Sequence, residues 1–487
     1  MLLVDVTIIQ VALPRIQVQL HASFTSLAWV IDAYALTLAA LILTSGTLAD
    51  RFGRRRIFVW GVGIFTAASA LCGVAQSALQ LDIGRGLQGV GGAAMFATSL
   101  ALIGQEFSGR DRGNAIALWG ATIGGAVAIG PLLGGVLTEW LSWRWIFYVN
   151  LPIGIAVIAL AQRHIENLRD PEARTADAAG LVTFSGSLSL LIFSLLRGNE
   201  SGWSSGLILG TLGAAAVLFV AFLAVELRQA RPMLDLALFR SPAFCGVALG
   251  TFAIGAGMFA LFPWISLYLQ NGLGYSPLQG GLRMLPATLL AFVVPILARR
   301  FGSRWPAAVH LWVGLGVVAV GLVLMRDLAA GSRWTALLPG LIVVGFGIGL
   351  ANPAIGQLAL AVAPPERAGM ASGISNTCRI GGLAMGFAGL GALLQDRLWA
   401  RLHMLVPSAP HELANVIASA GPRAAAARVP LAQRPELIAA GRDASVAGLD
   451  ADFLAGSILL ALGCLLVLAL VRVKRPAAPA ASEPAAP

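Results

Sequence analysis

Two acidic side chains stand where acids are costly: Asp5, in an apolar run from Met1 to Leu13, and Asp32, within Trp29-Val30-Ile31-Asp32-Ala33-Tyr34. A carboxyl in an apolar helix holds or gives off a proton according to whether water reaches it, which is the physical requirement for a site that couples transport to proton movement. Asp32 lies well inside its run and is the preferred coupling acid, with Asp5, in a shorter run, as the second candidate. Arg85 is the third unusual residue, in Leu81-Asp82-Ile83-Gly84-Arg85-Gly86-Leu87-Gln88-Gly89-Val90-Gly91-Gly92. An arginine within a membrane helix costs at least roughly 2.5 kcal/mol, so its head group must face a wet cavity or a carboxylate.

Two further stretches have a mechanical look. In Gly46-Thr47-Leu48-Ala49-Asp50-Arg51-Phe52-Gly53-Arg54-Arg55-Arg56, Gly46 and Gly53 permit a close helix contact and a tight turn. Asp50, at a helix end, can pair with Arg51, Arg54 or Arg55 or with a neighbouring helix N-terminus, forming a latch that breaks when parts of the protein rock. The run Gly120 to Gly135 repeats small residues at four-residue spacing and ends in Gly130-Pro131-Leu132-Leu133-Gly134-Gly135. Such spacing lets helices approach backbone to backbone, and Pro131 bends the helix by displacing a backbone hydrogen bond.

Positioning these residues takes a membrane bundle. Of 487 residues 57% are hydrophobic and 11% charged, against roughly 25% charged in an average soluble protein. Fourteen apolar runs follow one another, near 1–20, 27–48, 57–76, 81–104, 114–138, 145–161, 178–196, 206–226, 243–269, 281–298, 307–325, 335–361, 369–394 and 453–472. Their length, about 20 residues without strict alternation, makes them helices rather than barrel strands. The first is short for a span, because Pro14 and Arg15 end its apolar run. Arginines cluster in the loops after even-numbered runs, among them Arg51, Arg54, Arg55, Arg56, Arg110, Arg112, Arg163, Arg228, Arg299 and Arg300, with Arg472, Lys474 and Arg475 in the tail. Those loops and both termini are therefore expected in the cytoplasm. The segment 395–452 should face outward as a partly ordered loop, and 473–487 reads as a disordered cytoplasmic tail.

An internal repeat divides the chain. Ala49-Asp50-Arg51-Phe52-Gly53-Arg54-Arg55 returns as Ala298-Arg299-Arg300-Phe301-Gly302-Ser303-Arg304, and Asp111-Arg112-Gly113-Asn114-Ala115 resembles Glu366-Arg367-Ala368-Gly369-Met370-Ala371. Both pairs are offset by eight runs. Two six-helix halves, 1–161 and 243–472, with two inserted helices at 178–226, produce that offset, and parallel repeats are a transporter architecture.

Composition also excludes chemistry. Lys474, the only lysine, is followed by Arg475, so no G-x-x-x-x-G-K-[ST] phosphate loop exists and ATP does not drive the protein directly. The sequence contains no H-E-x-x-H, and Cys72, Cys245, Cys378 and Cys464 lack metal or redox spacing. No metal, cofactor or enzymatic activity is expected. The net charge of +10 sits in short loops facing anionic lipid rather than in a nucleic-acid surface. The expected partners are a small-molecule substrate, protons and the lipid bilayer; a periplasmic adaptor stays open, and no residue is assigned to substrate binding.

The loop from Gly46 to Arg56 resembles the G-x-L-a-D-r-x-G-r-[RK] signature of the major facilitator superfamily. The stretch around Arg85 is similar to a second signature of that family, l-x-x-x-R-x-x-q-G-x-g, whose arginine is associated with proton transfer. The Gly130-Pro131 segment resembles its antiporter signature g-x-x-x-G-P-x-x-G-G, with Ala126 where the first glycine belongs. Asp5-Val6-Thr7-Ile8-Ile9-Gln10-Val11-Ala12-Leu13-Pro14 and Trp143-Arg144-Trp145-Ile146-Phe147-Tyr148-Val149-Asn150-Leu151-Pro152-Ile153-Gly154 look like the fourteen-span drug:proton antiporters, the EmrB/QacA type, although Gln10 replaces the usual Asn. The resemblance implies an all-α major facilitator fold of 14 transmembrane helices in a bacterial inner membrane. It implies a proton-coupled antiporter exporting drug-like amphiphiles. An exporter dedicated to a native metabolite such as a self-made antibiotic or siderophore is the nearest alternative, and a transporter-like sensor or scaffold is one of another class.

Overall fold

The computed structural model describes residues 1–107, 109–167, 177–229, 234, 236–301, 305–362 and 368–471. Apart from short 3₁₀ and π turns, its regular structure is α-helix. In chain order the helices are α1 (Leu2–Leu20), α2 (Phe24–Phe52), α3 (Arg54–Gly73), α4 (Ala78–Glu106), α5 (Gly109–Trp140), the single turn α6 (Trp145–Tyr148) and α7 (Asn150–His164). The helices α8 (Ala178–Ser201) and α9 (Gly206–Arg228) follow. Then come α10 (Pro242–Ile254), α11 (Phe262–Leu267), α12 (Pro277–Phe301), α13 (Ala307–Val323), α14 (Leu338–Ala361), α15 (Ala368–Leu405), α16 (His411–Ala420), α17 (Pro422–Ala426) and α18 (Arg434–Leu470).

Twelve stretches of described helix are long and apolar enough to cross a membrane, and α13, at 17 residues, is shorter. All backbone groups of a span must be bonded within it, since lipid offers none. Helix caps are correspondingly local: Ser23, Ser77, Ser205 and Ser241 each accept a backbone N–H at the start of α2, α4, α9 and α10.

The helices pack in two groups. In one, α2 lies on α4, α3 on α4 and α7, and α1 on α5; in the other, α13 lies on α14 and α18, α12 on α14, and α10 and α15 on α18. The pair α8 and α9 packs on itself, with α8 against α2 and α15. Across the groups α5 meets α12, α2 meets α15 and α1 meets α11. One crossing recurs in both. A Cβ on Gly91 of α4 would lie 2.6 Å from the carbonyl of Gly61 and 2.6 Å from the amide of Phe65, both on α3. A Cβ on Gly347 of α14 would lie 2.7 Å from the carbonyl of Gly314 and 2.8 Å from the amide of Val318, both on α13. Backbone-to-backbone contact of this kind is what small residues supply where lipid gives no hydrophobic drive.

Three expectations gain detail or change. The first helix covers the expected 1–20 and runs through Pro14 to Leu20, with Leu13, Pro14 and Ile16 buried. Its buried face explains this, because packing against α5 and α11 supports the turn that the proline interrupts. The expected outward loop 395–452 is mostly helical. Its α16 has one apolar face, burying Leu413, Ala414 and Ile417, and α18 begins at Arg434, well before the apolar run. Finally, the ninth run is one irregular helix, since π turns at Gly255–Phe259 and Tyr268–Gly272 flank α11. Residues 472–487, Arg169, Arg174, Arg231, Arg304, Arg367, Gly302 and Ser303 of the second repeat copy, and the side chains of Asp50, Arg110, Arg112, Arg299 and Arg300 lie outside the described residues.

Candidate functional site

The site begins with a glycine contact. Gly86 and Gly89 let α4 lie directly on α2: the Thr37 hydroxyl donates to the Gly86 carbonyl at 2.9 Å, and a Cβ on Gly89 would stand 2.5 Å from the Tyr34 carbonyl. That approach carries Arg85 into the interior, where it is 1% exposed. Its Nε donates to the carbonyl of Val30 at 2.8 Å, and its guanidinium lies 4.4 Å from the centre of the Tyr34 ring. Face-on contact with an aromatic ring is favourable for a desolvated cation.

Arg85 Nη1 donates to Asp5 Oδ2 on α1, in an ion pair with both side chains 1% exposed. Two of the three residues singled out for proton chemistry are thus joined, and the preferred one, Asp32, is not among them. Asp5 Oδ1 accepts from Gln88 Nε2 at 3.4 Å and from Asn150 Nδ2 at 3.3 Å. The same two amides donate to the Ser69 hydroxyl at 2.7 and 3.4 Å, and Ser69 donates to the Phe65 carbonyl at 2.8 Å. Arg85 Nη1 also donates to Gln88 Oε1 at 2.9 Å. Four helices, α1, α3, α4 and α7, therefore converge on one carboxylate, and the Asp5 carboxylate answers the Arg85 charge. A pair of this kind is held by mutual attraction together with satisfied lone pairs; removing one partner leaves an uncompensated buried charge and costs about 3–5 kcal/mol.

Asp32 stands apart. It is fully buried on α2, and neither carboxylate oxygen has a hydrogen-bond partner among the described residues. The structure does not bring it into the Asp5 network. Arg379 donates to Asn376 at 3.1 Å on its own helix.

The glycine helix reaches both groups. A Cβ on Gly130 would collide with the Thr7 hydroxyl of α1, and one on Gly134 would lie 2.5 Å from the carbonyl of Ile8. Gly135 faces α12, where a Cβ on it would lie 2.7 Å from Leu278 Cα, and a Cβ on Gly281 of α12 would lie 2.4 Å from the Pro131 carbonyl. The outer part of Gly120 to Gly135 is thus a rail between the helix carrying Asp5 and the second group.

The loop residues are less uniform. Gly53 adopts φ +103° between α2 and α3, where other residues are strained, and a Cβ there would strike Asn167. Gly46 departs from the expectation of a close helix contact, since nothing described lies within 4 Å of its Cβ position. Arg55 donates to the Ile165 carbonyl at 2.9 Å and Arg54 to the Ala101 carbonyl at 3.5 Å, tying the loop to the ends of α7 and α4. Arg51 is exposed beside Phe52. The expected latch at Asp50 lies outside the described residues.

At the end bearing the turns 21–23, 74–77 and 141–144, three contacts close the groups upon each other. Trp264 stacks between Phe24 and Phe387, with centroids 5.1 and 4.4 Å away and planes within 8° and 5°. Glu139 of α5 accepts from the Ser276 hydroxyl at 2.6 Å and the Leu278 amide at 2.9 Å at the start of α12. Gln270 donates to the Val11 carbonyl at 2.9 Å. Beside them a cavity of about 480 Å³ lies between the α1–α2 turn and α16–α17, lined among others by Gln17, His21, Phe24, Glu412 and Arg428.

Sequence reasoning missed Gln88 and Asn150 as partners of Asp5, and Ser69 as the hydroxyl that both amides share. Asn150 and Gln88 were visible only as letters in longer motifs; the usable signal was an amide at the start of one apolar run and another three residues after an intramembrane arginine.

The model of the Major Facilitator Superfamily matches residues 1–387. The chain is 37% identical over 436 residues to the multidrug resistance protein Stp of Mycobacterium tuberculosis, covering 87% of this chain and 80% of that one. It is 33% identical over 477 residues to the drug efflux pump JefA of the same organism, covering 96% and 93%. To the tetracenomycin C resistance and export protein of Streptomyces glaucescens it is 34% identical over 406 residues, covering 82% and 74%. Among solved structures, a bacterial homologue of the human lysosomal transporter Spinster, in an inward-facing and occupied conformation, superposes with TM-score 0.62 at 17% identity, covering 98% of this chain and 96% of that one.

Proposed function

The chain belongs to the major facilitator superfamily, and from that premise we propose that it exports drug-like amphiphiles across a bacterial inner membrane in exchange for protons. The observation that carries this reading is the Asp5–Arg85 pair, an acid and a base fully buried between four helices beside the rail that joins the two groups. Relatives named for multidrug resistance and efflux supply the substrate class. The relative named for tetracenomycin C resistance and export favours a second reading, an exporter dedicated to one native metabolite. A resistance screen with cationic, anionic and neutral toxic compounds, in a host lacking its own pumps, separates the two: protection against several chemical classes supports multidrug export, and protection against one supports a dedicated pump.

The geometry suggests how exchange proceeds. A proton on Asp5 removes the charge that holds Arg85 to α1, while Val30, Gln88 and Tyr34 keep Arg85 on α4. α1 is then free to shift against α4, and through Gly130 and Gly134 it carries α5 with it. Opening at the end of the Trp264 stack separates Phe24 from Trp264 and Glu139 from α12, and connects the interior to the cavity beside α16. Asp32, without a partner, is a second acid whose protonation follows its exposure to water. Asp50 with Arg51, Arg54 and Arg55 forms the gate at the opposite end.

We count fourteen spans, adding α5 and α13 to the twelve, which accords with the EmrB/QacA branch. Two six-helix halves, 1–161 and 243–472, flank the inserted pair 178–226, a division supported by the recurring glycine crossing. Both termini are cytoplasmic. Reporters fused near residue 170 should then read cytoplasmic and those near 420 periplasmic; the reverse pattern overturns the topology.

A further inference from the structure

The second group of helices contains an acid with no part in the site above. Asp452 is fully buried on α18, and neither of its oxygens has a hydrogen-bond partner among the described residues. One turn to either side, α18 touches its neighbours through glycine. A Cβ on Gly448 would lie 2.9 Å from the Leu394 carbonyl of α15, and one on Gly456 would lie 2.6 Å from the Gly257 carbonyl and 3.0 Å from Leu322 of α13. Asp452 therefore shares the face of α18 that packs on α15, on α13 and on the π turn Gly255–Phe259.

The charged groups on those elements are engaged elsewhere. Arg379 binds Asn376, Arg401 binds Asp443 at 2.8 Å and Arg326 binds Asp450 at 3.3 Å, while Asp396, Arg397 and His403 are exposed. At the far end of α13 the His310 ring lies 3.3 Å from the Pro306 carbonyl.

The recurring crossing shows what this position corresponds to. Superimposing Gly61 and Gly91 on Gly314 and Gly347 carries Ser69 to Leu322, Gln88 to Val344 and Arg85 to Leu341, all three fully buried. In the first group Asn150 stands four residues before Gly154, which packs on Thr66 of α3; in the second Asp452 stands four residues before Gly456, which packs on Leu322 of α13. Because Leu322 is the counterpart of Ser69, Gly456 stands where Asn150 does and Asp452 lies one turn beyond it on α18, in a half where the counterparts of Ser69, Gln88 and Arg85 are all hydrocarbon. An ionised carboxylate without donor or counter-charge in such surroundings is far too costly to persist.

We propose that Asp452 is a further proton-binding site, in the second group of helices, carrying its proton in this conformation and passing it to water when the halves rock and α18 parts from the π turn. The carboxyl O–H bond breaks, the electron pair stays on the carboxylate, water takes the proton, and nothing is oxidised or reduced. The link to transport rests on the proton-exchange reading; the protonated state does not.

Two measurements on the full chain in liposomes test this. The infrared C=O stretch of protonated carboxylic acids should lose a component in Asp452→Asn and show a shifted one in Asp452→Glu, with that component intact in Asp32→Asn. A C=O region identical to wild type in Asp452→Asn, or unshifted in Asp452→Glu where the asparagine variant does not fold, overturns the proposal. The reversal potential of substrate exchange should show one proton fewer per substrate in Asp452→Asn, or in Asp452→Glu a stoichiometry like wild type with altered pH dependence. Unchanged stoichiometry and pH dependence in both variants overturn the transport role. A wild type that exchanges no protons sinks the proton-exchange reading, while the infrared result still decides Asp452.

Discussion

Arg85→Ala abolishes proton-driven export, with transport at least about a hundredfold below wild type. The substitution strands the Asp5 carboxylate among Gln88, Asn150 and Ser69 with no counter-charge. Leaving one member of a buried pair alone costs about 3–5 kcal/mol, which corresponds to roughly two to nearly four orders of magnitude in an equilibrium. Asp5 then stays protonated through the cycle, and the exchange has no step at which to release its proton. The double variant Asp5→Asn with Arg85→Ala removes both charges, so it should recover the membrane abundance and thermal stability lost in Arg85→Ala and still not pump. Transport in energised vesicles at matched protein amounts, together with melting temperature, checks both halves of this expectation. Full export by Arg85→Ala removes the pair from the mechanism.

Gly134→Leu is expected to have the second largest effect. The Cβ alone would sit 2.5 Å from the Ile8 carbonyl, a backbone atom that no side-chain rotation can move aside. Overpacking of a fitted core costs about 1–3 kcal/mol, and here the strain falls between α5 and the helix that carries Asp5. The variant should reach the membrane in reduced amount, and what arrives should transport at most a tenth as fast per molecule. Gly46→Leu is the matched control, because nothing described lies near its Cβ position. Equal transport by Gly134→Leu and Gly46→Leu contradicts the rail.

Much of this was legible in the residues, for reasons that can be stated. Asp5, Asp32 and Arg85 stand out because a charge inside an apolar run has to be answered by something. That Arg85 is answered by Asp5 is not written in either stretch, since the two lie on different helices, separated in sequence by α2 and α3. Asp32 looked the stronger coupling acid from its depth in a complete run, whereas the structure gathers partners around Asp5 and leaves Asp32 alone. Asp5 is deep because α1 continues through Pro14, and continuation depends on what α1 packs against rather than on its own composition. Asp452 escaped notice because it directly precedes the last apolar run, so counting hydrophobic residues assigns it to a loop. The helices α16 and α17 were hidden for a similar reason: short amphipathic turns rich in alanine, arginine and proline read as irregular chain until a bundle gives them a surface to cover.

The account stands most directly on one measurement. Purified wild-type protein and Asp5→Asn, reconstituted in liposomes of known orientation with a trapped pH indicator, are compared when a transported cationic compound is added without any imposed gradient. The wild type should move protons opposite to the compound, and Asp5→Asn should bind the compound and move none. Proton movement by Asp5→Asn at the wild-type rate contradicts the assignment of the Asp5–Arg85 pair as the coupling centre.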